Sequence, residues 1–259
     1  MSTTGYYRSI ETFALVDGPG VRTVLFLQGC KMRCLYCHNP ETWNINKDNP
    51  ITAEQFLEKA LNYKPYWQDY GGITISGGEP LLQIDFLIEI AKLTKQRGIS
   101  FCLDTSGNPF DKSSEDFMQK FDELIKYTDL FLLDLKCIDN DAHKNLTGWE
   151  NVNILGMANY LSNKNIPVWI RHVLVPGLTN KRDYLERLEN FISSLKNVDR
   201  VEVLPYHSLA RKMYRELNIS YKLDGVSAPD KAEIKEAEDI LQVEKYTKYL
   251  SLEKYNKEI

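Results

Sequence analysis

The chain has 259 residues, of which 43% are hydrophobic and 26% are charged, and its formal net charge is −4. This composition is typical of a soluble globular protein with a sizeable core, and no basic stripe indicates nucleic acid binding. No apolar run reaches the roughly 18 residues that span a membrane, and the first residues, Met1 to Arg8, lack the apolar segment of a signal peptide. We therefore predict a cytoplasmic protein that binds neither nucleic acid nor a membrane.

Short apolar strands alternate with amphipathic segments along the chain. The strands are apolar on both faces, as expected of buried parallel strands. They are predicted at 21–27, 73–76, 100–104, 130–135, 168–175 and 200–204, with helices at 53–63, 84–96, 114–126, 152–164, 182–195 and 230–241. Because a closed barrel needs eight such βα units, the pattern predicts a partial (β/α)6 TIM-like barrel with parallel strands. A doubly wound open sheet is the alternative.

The cysteine pattern is the most informative motif. Five cysteines make a disulfide framework improbable at this chain length, and three of them lie close together as Cys30, Cys34 and Cys37. Thiolates with this spacing can hold three irons of an iron–sulfur cube, whereas most cubane electron carriers use four cysteines. A structural zinc is the alternative, but zinc usually takes four ligands and His38 is an awkward fourth beside Cys37. The pattern favours a cluster with one iron open for chemistry.

Glycine and acidic residues gather where the predicted strands end, which is where parallel α/β folds place their active sites. The segment 77–80, Gly-Gly-Glu-Pro, is either a plain turn before a helix or a backbone that can approach a ligand, with Glu79 as acceptor for a cationic amine. Asp104 and Asp134 end two neighbouring strands, and Asp17 lies in an Asp-Gly-Pro-Gly segment. They are either turn and capping residues or carboxylates that enclose a cation, since they would otherwise repel each other.

Three basic residues are predicted at the same edge of the sheet. Lys136 follows the fourth strand, Arg171 lies inside the apolar fifth strand, and His207 follows the sixth. A buried arginine normally pairs with an anion, so Arg171 predicts a ligand that carries a carboxylate. His143 and His172 are interpreted as structural, and Cys102 as a small hydrophobic residue within its strand. Neither Cys102 nor Cys137, which follows Lys136, has the partners for a second cluster.

These motifs together resemble the radical S-adenosylmethionine superfamily. Its marks are the three-cysteine loop, with an aromatic residue before the last cysteine (here Tyr36), and a Gly-Gly-Glu turn after the second strand. Within it the chain is similar to the activases of glycyl-radical enzymes, in the branch that acts on pyruvate formate-lyase. The absence of cysteine at 38–76, where related activases insert a ferredoxin-like segment, fits this branch. The matching segments are 16–20, 28–30, 34–39, 76–79, 102–105, 133–136, 168–171, 175–177, 204–207 and 221–226.

The resemblance implies which residues form the site. The catalytic residues that it implies are Cys30, Cys34 and Cys37, which would hold one [4Fe–4S] cluster, and Lys136. The residues implied to bind S-adenosyl-L-methionine are Tyr36, Cys37, His38, Gly78, Glu79, Asp134, Leu135, Lys136, Arg171 and His207. Those implied to hold a monovalent cation are Asp17, Asp104, Thr105 and Asp134.

The resemblance also implies the reaction and the partners. Reductive cleavage of S-adenosylmethionine would give methionine and a 5′-deoxyadenosyl radical, which would take a hydrogen from one glycine of pyruvate formate-lyase under anaerobic conditions. Flavodoxin or ferredoxin would donate the electron. The chain is expected to be a monomer with a single domain at 1–259, made of a core at 16–207 and a C-terminal extension at 208–259. The alternatives are a radical enzyme that acts on another glycyl-radical enzyme or a small molecule, and a non-enzymatic cluster or zinc protein.

Overall fold

One sheet of eight strands forms the centre of the computed structural model, which describes residues 3–249. In chain order the strands are β1 (Thr4–Ala14), β2 (Arg22–Leu27), β3 (Pro50–Thr52), β4 (Gly72–Gly77), β5 (Ser100–Thr105), β6 (Leu130–Asp134), β7 (Val168–Leu174) and β8 (Val198–Pro205). In space they follow the order β3-β1-β2-β4-β5-β6-β7-β8. The end of the predicted C-terminal extension, 250–259, lies outside the described residues.

The six strands β2 and β4 to β8 are parallel to one another. They coincide with the six predicted strands and lie side by side in chain order. A doubly wound sheet would instead reverse its strand order at a switch point. In the part of the chain that the structure describes, no ladder joins β3 to β8, so the sheet does not close. The predicted partial parallel barrel is confirmed.

Helices cover one face of the sheet. In the described chain they are α1 (Ala53–Leu61), α2 (Ile84–Gln96), α3 (Glu115–Ile125), α4 (Asn140–Thr147), α5 (Val152–Asn163), α6 (Arg182–Ser194), α7 (Arg211–Glu216) and α8 (Lys231–Ile240). Phe101 and Leu103 of β5 belong to the same hydrophobic core as Leu87 of α2, and side chains alternate across a strand. Within residues 3–249, no helix has the length and apolar character needed to cross a membrane.

The other face of the sheet lines the interior of the barrel. A second, smaller apolar cluster lies there, formed by Cys102, Leu130, Leu132 and Trp169 with Tyr249 packed against it. It fills the interior near the amino ends of the parallel strands. Charged side chains occupy the same face nearer the carboxyl ends, and they form the site described below.

Strands β1 and β3 and helices α4 and α7 are not in the sequence-based prediction. β1 pairs antiparallel with both β2 and β3 and so extends the sheet at one margin. Only one of its 11 residues is fully buried, and polar residues such as Arg8 and Glu11 interrupt it, so it lacks the apolar run by which the other strands were predicted. α4 ends at the left-handed residue Gly148, a common helix terminator.

Candidate active site

The cysteine loop follows the carboxyl end of β2 and is fixed by backbone hydrogen bonds to two other segments. The amide of Gly29 donates to the carbonyl of Thr42 at 2.7 Å, and the amide of Arg33 donates to the carbonyl of Thr147 at 2.8 Å. Gly29 has a φ of 98°, which favours glycine. Because α4 ends at Thr147, this helix, which was missed from the sequence, helps to hold the loop in place.

The three cysteines of this loop are free thiols that are largely withdrawn from water. Cys34 is buried, while Cys30 and Cys37 are half-buried. Burial raises the pKa of Cys30 and Cys34 to about 12 and also raises the pKa of Cys37, because a thiolate loses its hydration there. Thiolates are the form that binds metal, and bound metal reverses this penalty. Three soft donors on a fixed loop therefore fit an iron–sulfur cluster.

The turn at 77–80 packs directly against the cysteine loop. The amide of Gly78 donates to the carbonyl of Leu27 at 2.9 Å, and the amide of Glu79 donates to the carbonyl of Gly29 at 2.7 Å. A β-carbon on Gly78 would lie 2.3 Å from the carbonyl oxygen of Gly29, so no larger residue fits. The glycine thus brings two backbone segments of the site together, and its predicted contact with a ligand stays a prediction.

The carboxylate of Glu79 is buried and heavily hydrogen-bonded. It accepts from the hydroxyl of Thr105 at 2.6 Å, the amide of Ser106 at 2.9 Å and the amide of Leu81 at 3.1 Å, and also from the hydroxyl of Ser106. Burial raises the pKa of Glu79, and these hydrogen bonds oppose that rise. The hydroxyl of Thr105, predicted as a cation ligand, is therefore used by Glu79.

Lys136 and Asp134 form an ion pair beside the cysteine loop. Their Nζ and Oδ2 atoms are 2.6 Å apart, and the Lys136 ammonium lies 5.7 Å from the centre of the Tyr36 ring. Burial lowers the pKa of Lys136, but the charge of Asp134, followed by Tyr36 and Cys34, outweighs it and raises that pKa well above its usual value. The buried hydroxyl of Tyr36 has no hydrogen-bond partner, and such a group calls for a ligand or water.

Arg171 lies between two carboxylates inside the barrel. Its Nη1 is 3.2 Å from Oδ1 of Asp104, and its Nε is 3.8 Å from Oε2 of Glu202. Asp104 also accepts from the hydroxyl of Ser76 at 2.7 Å. The buried Nε of Arg171 and Oε2 of Glu202 have no hydrogen-bond partner. The guanidinium therefore keeps one donor that makes no hydrogen bond within the described residues.

Asp17 completes the group of carboxylates. Burial, and next the charge of Asp104, raise the pKa of Asp17 to about 6, although Arg171 opposes this. Within residues 3–249, no group of three or more His, Cys, Asp or Glu side chains is arranged to hold a single metal ion. Asp104 and Asp134 are paired with basic side chains instead. The monovalent cation therefore stays a prediction.

His38 and His207 stack on each other at the exposed margin of the site. Their ring centroids are 4.1 Å apart, and the ring planes differ by 26°. Burial, and next the charge of His207, lower the pKa of His38. Flat aromatic rings of this kind are suited to contact with a nucleobase. The two histidines are far apart in the sequence, and the fold brings their rings together.

Comparison with known proteins identifies the family. Residues 24–190 match the Radical SAM superfamily. The chain is 47% identical over 248 residues to the pyruvate formate-lyase-activating enzyme of Streptococcus mutans, which covers 95% of this chain and 94% of that protein. It is 48% identical over 235 residues to the same enzyme of Staphylococcus epidermidis, covering 90% and 93%. The chain belongs to the pyruvate formate-lyase-activating enzymes of the radical SAM superfamily.

Solved structures agree with this membership. A domain of a pyruvate formate-lyase-activating enzyme from Bacteroides vulgatus has a TM-score of 0.55 at 26% identity and covers 68% of this chain and 96% of that chain. Streptococcus suis SuiB bound to S-adenosylmethionine has a TM-score of 0.58 at 18% identity, covers 82% and 44%, and shows the shared fold alone. The cofactors of this radical SAM chain are accordingly a [4Fe–4S] cluster and S-adenosylmethionine.

Three polar residues of the radical SAM site were not predicted from the sequence, namely Ser76, Ser106 and Glu202. Glu202 faces Arg171 because the register of β7 and β8 pairs these two residues. The sequence did contain a signal for Glu202, because it is an acidic residue inside a predicted strand. The same kind of signal, a charged residue inside a predicted strand, was used to predict Arg171. Ser106 follows Thr105 directly, but nothing in the sequence indicates that both hydroxyls donate to Glu79.

The two histidines and two cysteines that were not assigned to the site, His143, His172, Cys102 and Cys137, are all buried. The Nδ1 atoms of His143 and His172 lie 2.7 and 2.9 Å from backbone carbonyl oxygens. Cys102 belongs to the small interior cluster, and Cys137 belongs to the core shared with the helices. None of the four lies in the cysteine loop.

Proposed function

We propose that the chain activates pyruvate formate-lyase under anaerobic conditions by generating a glycyl radical on it. The observation that carries the proposal is the fixed loop of three buried or half-buried thiols in a chain of this family. A [4Fe–4S] cluster and S-adenosylmethionine bound at this site would supply the chemistry, which is reductive cleavage of S-adenosylmethionine to methionine and the carbon radical that removes one hydrogen from the glycine. The chain is thus an oxidoreductase.

Cys30, Cys34 and Cys37 act as the cluster ligands in this proposal. Their loop is held by backbone hydrogen bonds to two other segments of the chain, so the fold itself fixes the spacing of the three thiols. Loss of the three thiol protons is unfavourable without metal, because burial raises their pKa values. The Lys136 ammonium opposes that rise at each of these thiols.

The remaining side chains bind and orient S-adenosylmethionine. We assign the amine to Gly78 and Glu79, and the carboxylate to Arg171, whose Nε has no other hydrogen-bond partner. Lys136, paired with Asp134, adds a second positive charge beside the Tyr36 ring. The residues that we assign to the adenine and ribose end are Tyr36, Cys37, His38, Asp134, Leu135, Lys136 and His207. The predicted monovalent cation near Asp17, Asp104, Thr105 and Asp134 is part of the same proposal.

The open sheet gives the protein substrate a route to this site. No ladder in the described chain closes the barrel between β8 and the margin formed by β1 and β3. Glu202 lies on β8 at that gap, and Arg171 lies opposite it on the neighbouring strand β7. We infer that the glycine segment of pyruvate formate-lyase reaches the interior there. Part of the free energy of binding between the two proteins must then offset the cost of opening the partner's own structure. Flavodoxin or ferredoxin as electron donor, a monomeric single-domain state and a cytoplasmic location complete the proposal.

Electron spin resonance tests the function directly. The anaerobically reconstituted protein is reduced with dithionite and mixed with S-adenosylmethionine and pyruvate formate-lyase. We expect a glycyl radical signal that is absent when S-adenosylmethionine is omitted. Cleavage of S-adenosylmethionine without a glycyl radical would indicate a radical SAM enzyme with another substrate, and no cleavage at all would refute the proposal.

A further inference from the structure

Glu202 lies between two arginines on the interior face of the barrel. Its Oε1 is 3.1 Å from Nη2 of Arg200, and its Oε2 is 3.8 Å from Nε of Arg171. The register of β7 and β8 places Arg171 opposite Glu202, and only 12% and 14% of their side-chain surfaces are exposed. None of the roles proposed above involves the Glu202 carboxylate.

Arg200 holds one oxygen of Glu202 in place. The guanidinium carbon of Arg200 lies 4.8 Å from the centre of the Trp169 ring and 4.4 Å from the centre of the Tyr249 ring. An arginine stacked on aromatic rings is restrained in orientation, because its planar guanidinium packs against them. Its contact with Oε1 therefore leaves Oε2 of Glu202 directed towards Arg171.

The second oxygen of Glu202 and the Nε of Arg171 form an incomplete pair. Both atoms are buried, and neither has a hydrogen-bond partner among residues 3–249. At 3.8 Å they are too far apart for a hydrogen bond, in which the N···O distance is about 2.9 Å. Because a buried donor and acceptor without partners are unfavourable, movement of the guanidinium towards β8 by roughly 1 Å would satisfy both.

Asp104 holds the same guanidinium from the other side. Its Oδ1 is 3.2 Å from Nη1 of Arg171. Asp104 lies on β5, two strands from β7, whereas Glu202 lies on β8. The two carboxylates therefore attract Arg171 in opposite directions across the sheet. If Glu202 lost its charge, Arg171 would pair more strongly with Asp104, and a ligand carboxylate would have to displace that pair.

We propose that Glu202 is a positioning residue for S-adenosylmethionine, which draws Arg171 away from Asp104 so that the guanidinium is available to the carboxylate of the cofactor. The proposal rests on the proposed function, in which that carboxylate is assigned to Arg171. Glu202 acts through Arg171 in this role and is not itself a catalytic residue. Arg200 in turn keeps Glu202 in the orientation that the role requires.

Three single variants test the role of Glu202. Glu202→Gln keeps the size of the side chain and removes its charge. Arg200→Gln removes the partner that orients Glu202 and leaves Arg171 unaltered. Asp199→Asn is the matched control, because it removes another carboxylate from β8, one that lies 3.5 Å from Nζ of Lys248. Asp199 is not assigned to the cluster or to S-adenosylmethionine.

Calorimetric titration of the reconstituted, unreduced protein with S-adenosylmethionine measures the affinity without turnover. We expect Glu202→Gln to weaken binding by about tenfold and Arg200→Gln by about threefold, which are typical couplings between side chains in contact. Asp199→Asn should leave the affinity unchanged. Iron content should be normal in all three variants, since none of these side chains belongs to the cysteine loop.

A double-mutant cycle separates positioning from a direct effect of the Glu202 charge on the cofactor. In the Arg171→Met background, Glu202→Gln should cause no further loss of affinity, because the residue through which Glu202 acts is absent. Decarboxylated S-adenosylmethionine is the second probe, and it keeps the positively charged sulfur. Its affinity should be the same in Glu202→Gln and the wild type, because it lacks the group that Arg171 would bind.

Several results would overturn the positioning role. Unchanged or tighter binding in Glu202→Gln would do so, as would an equal loss in Asp199→Asn. Equal losses from Glu202→Gln with and without Arg171 would show that the Glu202 charge acts directly on the cofactor. If Glu202→Gln does not fold, unchanged affinity in Arg200→Gln would overturn the role instead. Normal affinity in Arg171→Met alone would refute the carboxylate assignment in the proposed function, whereas a loss there without a loss in Glu202→Gln would refute only the role of Glu202.

Discussion

Each end of the barrel interior contains one arginine and at least one cysteine, and the partners of the two arginines differ. At the amino end, Arg22 has no exposed surface and donates to Thr74 Oγ1 at 2.6 Å and to the carbonyls of Ile73 and Pro19 at 2.6 and 3.0 Å. At the carboxyl end, Arg171 faces the carboxylates of Asp104 and Glu202, and its Nε has no hydrogen-bond partner.

This difference separates a structural arginine from one available to a ligand. The neutral carbonyls around Arg22 satisfy its donors, so nothing remains for a ligand to bind. Arg22 instead ties the segment that contains Asp17 to the sheet, since the hydroxyl of Thr74 also donates to the Asp17 carbonyl at 2.7 Å. Arg171 retains both a donor and ionisable partners, which is the arrangement expected where charge is recognised.

The cysteines provide the largest expected difference between the two ends. Cys34→Ser should abolish cluster assembly, because a hydroxyl is a poor substitute for a thiolate ligand. Cys102→Ser, in the small interior cluster, should retain it. Iron content and visible absorbance of the anaerobically reconstituted variants measure this. Roughly four irons per chain in Cys34→Ser, as in a complete cubane, would contradict the ligand assignment.

Loss of either arginine should destabilise the metal-free protein, but only one loss should depend strongly on pH. Arg22→Met leaves buried carbonyls without donors and should lower the free energy of unfolding by about 3 kcal/mol. This loss should vary little with pH, because carbonyls do not titrate and the charge of Arg22 has a smaller effect on the pKa of Asp17 than burial, Asp104 and Arg171 have. Arg171→Met leaves Asp104 facing Asp17 and Glu202. These carboxyls can take up protons, so the loss should be large near pH 8 and small near pH 5.

Urea unfolding at several pH values measures both effects. Each variant is compared with the wild type at the same pH, so that titration elsewhere in the chain cancels. A strongly pH-dependent loss in Arg22→Met would mean that a carboxylate, not a carbonyl, is its main partner. A pH-independent loss in Arg171→Met would mean that Asp104 and Glu202 stay ionised without it.

Arg171→Met should also weaken the binding of S-adenosylmethionine by about 10- to 100-fold, since a hydrogen bond between charged groups is lost. Iron content should stay normal, because Arg171 touches none of the three thiols. Calorimetric titration of the reconstituted protein measures the affinity. Arg22→Lys is the matched control, because it alters the other interior arginine. An equal loss of S-adenosylmethionine affinity in Arg22→Lys would show that only general disturbance of the interior, and not Arg171 itself, weakens binding.

The sequence predicted the six parallel strands because each is a short apolar run, and it predicted the cysteine loop because its spacing is local. It singled out Arg171 and passed over Arg22, although both lie in predicted apolar strands and the local pattern gives no reason to separate them. Their partners come from residues far away in the chain: Ile73 and Thr74 for Arg22, and Asp104 for Arg171. Which carbonyls or carboxylates stand opposite depends on the register of neighbouring strands, and no local pattern encodes that register.

The smallest expected effect concerns Asp17, which contacts both ends of the barrel interior. Its carbonyl accepts a hydrogen bond from Thr74 at the amino end, and its carboxylate lies near the charge of Asp104 at the carboxyl end. Its pKa is raised from 3.8 to about 6, first by burial and then by the charge of Asp104. The folded state therefore binds more protons than the unfolded state between these values, and the free energy of unfolding falls as pH rises through about 6. After allowance for partial exposure, the ionised carboxylate costs the fold roughly 1–2 kcal/mol.

Asp17→Asn should therefore be more stable than the wild type at pH 7.5 and about equal to it near pH 4, in urea unfolding of the metal-free protein. Asp111→Asn is the matched control with the opposite sign. Hydrogen bonds from Ser113 lower the pKa of the exposed Asp111, so this variant should lose stability above pH 4 and match the wild type only in acid.

Lower stability of Asp17→Asn at pH 7.5 would show that the Asp17 carboxylate has a favourable partner in the folded protein. Arg171 is the cation whose charge opposes the rise in its pKa, and the double variant with Arg171→Met would then identify whether it is that partner.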